Sequence, residues 1–533
     1  MLITLFFVVL SFLVVAPYFH GAGIITNVDG TFHISRLQES YLSLKSGNLF
    51  GIFPDVMTQA FGKIGYPQNL FYPIFIVAPE AIIHVIIKNG YFSYYIFLMI
   101  INFCIFISMY LCSARISKSK FAGIVSALVY GFFQYKIHVM FYQGDLAESI
   151  VFIFLPIVVY GLYELLVKDY HKWWILSVGM ALIMLTHVLS TFLASIMVLF
   201  SLGLLFFSHD DYKDKFKRLL FTILAGIIAI LLSCAFLIPF IQDYKFAGKM
   251  NIGTALLYDN AMPIQNMVFN FLPNQGPGFG VGIGIIGALV IISSIFVWKK
   301  LSLFYKYVTF EAIVFLLLVS NFFPWQLVQT QLKFIQVPYR LLLLATVLIG
   351  LMSGQCILIL CRKFSTNKKV IFVSGLTLFS LCISFASNEY VKMNPGSLVT
   401  YYISKNNDGM NTMANSQVFD YLPKTTKSIE PYLVKHSIRG INNDNKDMKQ
   451  LRWYTSYDQI HYKLVAKKSF ANITIPNIYY PGFHAYVNNK EVPIKVDKNK
   501  AINIPVQKGI NNIDIVYKKT IIQIATLWIS IIS

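Results

Sequence analysis

Four residues in one short stretch have side chains that could do chemistry together. Asp29, His33, Arg36 and Glu39 fall within NVDGTFHISRLQES, positions 27–40. Spacings of i, i+4 and i+7 put Asp29, His33 and Arg36 on one face if the segment is helical. A carboxylate there can activate a hydroxyl or bind a divalent metal such as magnesium or manganese. His and Arg can bind a phosphate, Arg as a two-pronged donor. The plainer alternatives are helix N-capping by Asp29 and a solvated interfacial face carrying His33 and Arg36.

Other candidates follow along the chain. Asp145 and Glu148 in YQGDLAES stand i, i+3 at the start of an apolar run. Such a pair either supplies a second acidic or metal-binding group or favours a helix start through the dipole. His187 in LIMLTHVLS and Arg340 in FIQVPYRLLLL sit at the edges of apolar segments. They read as phosphate ligands, or as a hydrogen-bonded turn residue and a snorkelling cation. Ionisable groups at membrane depth are expensive and usually functional. There is no Walker A loop, dinucleotide fingerprint, HExxH or serine-hydrolase elbow. The glycines of GFGVGIGIIG (278–287) open an apolar helix and read as membrane packing.

The elements that must position these groups are oily. The 533 residues are 56% hydrophobic and 13% charged, with mean hydropathy +0.62, whereas a soluble domain is about 45–50% apolar. Apolar runs of roughly 15–24 residues suit a bilayer core, so the fold class is a polytopic α-helical membrane protein. The first run, MLITLFFVVLSFLVVAPYF, lacks a charged leader and cleavage site and reads as a retained helix. Five short segments, ARISKSK (114–120), KDYHK (168–172), DYKDKFKR (211–218), KKLSLFYK (299–306) and RKFSTNKK (362–369), hold sixteen Lys and Arg. The positive-inside rule places all five in the cytoplasm. Twelve helices satisfy that pattern: 2–18, 92–112, 121–137, 149–167, 174–187, 190–207, 219–240, 280–298, 307–322, 338–361, 370–387 and one from 520. Residues 71–88, with two prolines and Glu80, then form a re-entrant or interfacial helix rather than a span.

This pattern divides the chain into a transmembrane domain at 1–387, an outer domain at 388–519 and a short or truncated last helix at 520–533. Outer loops occupy 19–91 and 241–279. Asp29, His33, Arg36, Glu39, Asp145, Glu148, His187 and Arg340 all then lie toward the outer face. Residues 388–519 hold nineteen Lys and Arg against ten Asp and Glu. Their period-two runs and turn-like Asn-Asn-Lys-Glu suggest a small antiparallel β-sandwich. The net charge of +20 is dispersed over loops and this domain, which argues against a nucleic-acid partner. Six cysteines lie in or beside apolar runs, without metal-ligand spacing, and read as packing residues. Richness in Lys, Asn, Ile, Phe and Tyr fits an AT-rich bacterium with one membrane.

A first helix followed by a long outer loop opening with an Asp resembles the GT-C superfamily of membrane glycosyltransferases. The pieces DGTFHISRLQE, GYPQNLFYPIF, GDLAESIVFIFLPIVVYGLYELL, LTHVLSTFLA, IQVPYRLLLLATVLIG and YYPGFHAYVNNKEVPI resemble, in order, a bacterial group of "6-pyruvoyl-tetrahydropterin synthase-related" membrane proteins. The resemblance implies a bacterial plasma-membrane enzyme using a polyprenyl-phosphate-linked sugar, with a cell-wall polymer or other glycan as acceptor. In the superfamily the first-loop Asp is the base or metal-organising carboxylate, a role that maps onto Asp29. The second acid usual beside it is absent, since the sequence reads Val28-Asp29-Gly30. Two other readings stand beside this one: a flippase of lipid-linked saccharides, and a non-catalytic envelope assembly protein.

Overall fold

A computed structural model describes residues 2–19, 23–26, 28–47, 49–208, 211–250, 255–269, 280–393, 401–404, 421–440 and 447–533. Parts of the outer stretches expected from the sequence, 270–279, 394–400 and 405–420 among them, lie outside these residues. The chain forms two compact units. The first comprises Met1–Gly30, Tyr94–Leu231 and Thr254–Lys405, and the second Thr31–Ser93, Leu232–Gly253 and Asn406–Ser533.

A helix forms on each of the twelve stretches expected to hold one. The count of twelve crossings is not reproduced. Among the described residues, five helices are long and apolar enough to span: Gly90–Ser117, Leu146–Val167, Tyr212–Ala247, Pro338–Leu360 and Thr366–Ala386. A sixth exists if Lys120–Gly131 and Gln134–Gln143, bent by 48°, count as one. Several others are short. Ala78–Ile87 has ten residues and measures about 15 Å, half a hydrocarbon core.

Four of the basic segments occupy breaks between helices of the first unit. ARISKSK joins Gly90–Ser117 to Lys120–Gly131, and KDYHK follows Leu146–Val167. KKLSLFYK separates Gly284–Val297 from Leu303–Val319, and RKFSTNKK separates Leu342–Leu360 from Thr366–Met393. The fifth, DYKDKFKR, opens the helix Tyr212–Ala247. Along the chain these alternate with a second set of breaks, at 144–145, 185–187 and 320–341. The second set carries Asp145, His187 and Arg340. Strand β1 (Gly23–Thr26) also belongs to this unit and pairs antiparallel with β2 (Tyr401–Ser404).

Among its described residues the second unit contains nine strands in two sheets. They are β3 (Arg439–Gly440), β4 (Met448–Ser456), β5 (Gln459–Ala466), β6 (Phe470–Ile478), β7 (Phe483–Val487), β8 (Lys490–Val492), β9 (Lys495–Val496), β10 (Ala501–Val506) and β11 (Gly509–Tyr517). One sheet runs β3-β6-β10-β9 and the other β4-β5-β11-β7-β8, with every pairing antiparallel. Alternation decides which side is buried. In β5, Ile460, Tyr462, Leu464 and Ala466 point inward, while Gln459, His461, Lys463 and Val465 are only partly covered. Inward residues of both sheets share one core with Val56, Met57, Phe61, Tyr66 and Phe71. The antiparallel sheets expected from period-two patterning are therefore present, and residues 56–71 complete their core.

Candidate active site

In the first unit, the breaks opposite the basic ones in chain order bring charged groups together. Gly144, at φ 74°, lets the chain turn before the helix Leu146–Val167. Asp145 caps that helix, its Oδ1 accepting the Glu148 N–H at 2.9 Å. This is the capping role considered for the pair, and the carboxylates have further partners. Glu148 Oε1 accepts the Tyr135 hydroxyl at 2.6 Å, and Oε2 accepts Arg340 Nη1 at 2.7 Å. Arg340 Nη1 also lies 3.7 Å from Asp145 Oδ2, and its Nη2 donates to Gln336 Oε1 at 2.8 Å. The Arg340 Nε is buried with no partner among the described residues.

His187 stands at the N-cap position of Val188–Ser201, with Nδ1 2.7 Å from Ser190 Oγ. One donor atom each from Asp145, Glu148 and His187 lies within 4.8 Å of the others. All three are under 5% exposed. Asp29 is in the first turn of the helix Val28–Lys45, inside it rather than at the cap position that was the plainer alternative. Its Oδ2 accepts Gln143 Nε2 at 2.8 Å. It is near enough to Glu148 and Arg340 to act on both electrostatically, and it is only half-buried.

Three carboxylates thus face one guanidinium. A buried ion pair is stable only when its remaining lone pairs and protons are also satisfied. Tyr135, Gln336 and the Glu148 N–H serve that purpose here. Each carboxylate oxygen has two acceptor directions, so capacity for a cation remains beside Arg340.

The other three sequence candidates find partners within the second unit. Arg36 is fully buried and donates through Nε to Asn69 Oδ1 (3.0 Å) and through Nη2 to the carbonyls of Pro73 (2.6 Å) and Tyr72 (3.4 Å). Its guanidinium also lies 5.2 Å from the Tyr72 ring centre. Glu39, also fully buried, accepts backbone N–H groups of Thr58 (2.9 Å), Gln59 (2.8 Å) and Ala60 (2.6 Å). Burial pushes its carboxyl up to about 7, against the pull of those donors. His33 is buried with its ring edge-on to Phe32 and Tyr72.

Sequence reasoning overlooked Tyr135, Gln143 and Gln336, which hold the charged groups in place. Their only signal was proximity in the chain: Gln143 precedes Asp145 by two residues, and Gln336 precedes Arg340 by one helical turn. It also overlooked Lys136, fully buried and bonded to Asn102 and the Gly131 carbonyl. That lysine sits just past the break in an expected continuous helix.

A family model described as "6-pyruvoyl-tetrahydropterin synthase related domain; membrane protein" matches residues 71–391, more than half the chain. The chain belongs to this family. An uncharacterized protein of Lactococcus lactis subsp. cremoris (strain MG1363) is 23% identical over 264 residues, which cover 47% of this chain and 41% of that protein. Among solved structures, the arabinofuranosyltransferase AftD from mycobacteria aligns at a TM-score of 0.44 and 12% identity, over 73% of this chain and 26% of that one. The chain therefore spans less than half of either protein's length. Its helices and its family agree in making it a membrane protein.

Proposed function

We propose that this protein is a membrane glycosyltransferase. In this reading it moves a sugar from a polyprenyl-phosphate donor to a cell-wall or surface polymer or lipid, on the outer face of a bacterial plasma membrane. One observation carries the reading: Asp29, half-buried, is held by Gln143 beside an enclosed cluster of Asp145, Glu148, His187 and Arg340.

Asp29 is the acid of the group open enough to meet a substrate, and it serves as the base. The acceptor hydroxyl passes its proton to Asp29 while its oxygen bonds to the anomeric carbon. The bond from that carbon to the phosphate oxygen breaks, and the charge left on the phosphate is met by Arg340. Arg340 is prepared for this by Glu148 and Gln336, which fix its fork. Arg36, whose Nε and Nη2 are engaged by Asn69 and two carbonyls, keeps its fold together instead.

A divalent metal suits the donor set of two carboxylates and one imidazole within 4.8 Å. Asp145, Glu148 and His187 would hold it, and when bound it supplies positive charge to a leaving phosphate. An apolar cleft lies in the same unit. Phe132, Phe133, Ile137, Tyr142 and Ile283 are among its lining residues, and its character suits an isoprenoid chain. The excess of Lys and Arg in 388–519 suits an anionic acceptor.

The test compares surface polymers from cells with and without the gene. Loss of one glycosyl substituent on deletion, restored by the wild-type gene, is the expected result. An unchanged sugar profile would refute the reading.

A further inference from the structure

The outer face of the five-stranded sheet carries three side chains in a chemically meaningful order. Ser456 closes β4, and His461 and Asp514 lie opposite one another on β5 and β11. His461 Nδ1 is 2.6 Å from Asp514 Oδ1, and its Nε2 is 2.9 Å from Ser456 Oγ. An ionised carboxylate can only accept, so Nδ1 carries the proton toward Asp514. In the neutral ring Nε2 is then an acceptor, and the Ser456 hydroxyl donates to it. Nucleophile, base and orienting carboxylate thus follow in line, which is the geometry of an activated serine.

The surroundings define a place rather than a chance contact. Tyr454, on the strand that flanks His461 on the side away from Asp514, stacks on the imidazole with ring centres 4.5 Å apart and planes 17° apart. Arg452 lies 5.7 Å from the Tyr454 ring centre. Lys463, two residues beyond His461, shares its face by strand alternation. The serine is partly exposed, and the side chains of His461 and Asp514 are 15% and 30% exposed. Thr58 Oγ1 donates to the Ser456 carbonyl at 2.8 Å and fixes the end of the strand.

We propose that Ser456 and His461 form a second catalytic site, acting on a carboxylic ester carried by an anionic, hydroxylated molecule. Ser456 Oγ bonds to the ester carbonyl carbon as its proton moves to His461 Nε2. The carbon–alkoxy bond breaks, and the leaving alcohol takes that proton. Water, or a second hydroxyl, then gives its proton to Nε2 as its oxygen bonds to the acyl carbon; the bond from that carbon to Ser456 Oγ breaks, and Oγ takes the proton back from Nε2. No oxidation change occurs. Asp514 is a positioning residue that holds the ring tautomer. Arg452 and Lys463 favour an anionic carrier, and an open sheet face favours an extended one. This site does not depend on the glycosyltransferase reading.

The experiment treats the full-length protein in detergent with a fluorophosphonate probe and maps the adduct by mass spectrometry. The expected result is modification at Ser456, absent in Ser456→Ala and slowed by about 100-fold or more in His461→Gln. Asp514→Asn should slow labelling and shift its pH–rate profile, which a purely structural hydrogen bond would not do. Two results would overturn the proposal. One is wild-type protein that labels at Ser456 no faster than at its other exposed serines. The other is labelling of Ser456 that ignores His461→Gln. Either would leave the triad as a cross-strand hydrogen-bond ladder. Because the first outcome is read on the wild type, a misfolded variant cannot shield the proposal.

Discussion

Two places in this protein bury charge, and they do so in opposite ways. In the second unit, Glu39 is wrapped by main-chain N–H groups, and Arg36 meets Asn69, the carbonyls of Tyr72 and Pro73 and the Tyr72 ring, all within the short segment 69–73. In the first unit, Asp145, Glu148 and Arg340 meet one another, with Asp29 and His187 beside them. Backbone partners cannot leave, so a charge satisfied by them is part of the fold. Charges that face each other across separate helix breaks present side-chain atoms to one shared place, held there by further side chains, which is what a preorganised site requires. The lesson is that burial alone did not separate site from scaffold; the nature of the partner did.

The sharpest way to break this contrast is at Arg340. Arg340→Met should lower Tm strongly, by an amount corresponding to about 3–5 kcal/mol, because it strands two buried carboxylates. Adding Glu148→Gln should recover stability without recovering glycosylation. Equal loss in the single and double variants, read by thermal unfolding in detergent, would show that the pair does not act as a unit.

Next is the metal. Manganese titrated into the protein should give an EPR signal of bound ion that Asp145→Asn weakens at least tenfold in affinity, while Glu39→Gln leaves it unchanged. Equal binding by both variants would erase the distinction between the two regions.

Glu39→Gln should destabilise the protein by about 1–3 kcal/mol, since an amide cannot accept from every donor the carboxylate serves. Glycosylation per folded molecule should be retained. A further effect concerns pH. The Glu39 carboxyl titrates near 7 when folded, above its ordinary value of 4.5. The folded state therefore binds the proton more tightly. Its stability benefit is full below about 4.5 and is lost as pH rises through 7, with a slope of about 1.4 kcal/mol per pH unit between. Tm should fall between pH 5 and pH 8, and Glu39→Gln should flatten that fall.

Much of this was legible in the residues. Hydropathy placed the helices, and the basic turns at 114–120, 168–172, 299–306 and 362–369 marked alternate helix breaks. That alternation is why Asp145, His187 and Arg340 could be grouped from sequence. Period two marked the sandwich, because β5 and β11 each show one buried face. What escaped was partner identity. Helical spacing puts Asp29, His33 and Arg36 on one face, yet it says nothing about Asn69 and Tyr72, thirty-odd residues on, which meet Arg36. Nor could periodicity reveal the bend near Phe132, since both halves are apolar, or the 456–461–514 alignment, which exists only once three strands are in register.

The most direct test is Asp29→Asn at wild-type membrane abundance and unchanged Tm, read as the sugar content of the surface polymer in a strain lacking the native gene. The account predicts that the glycosyl substituent falls by about 100-fold or more, to the level of the empty strain. A substituent restored to wild-type level would contradict it.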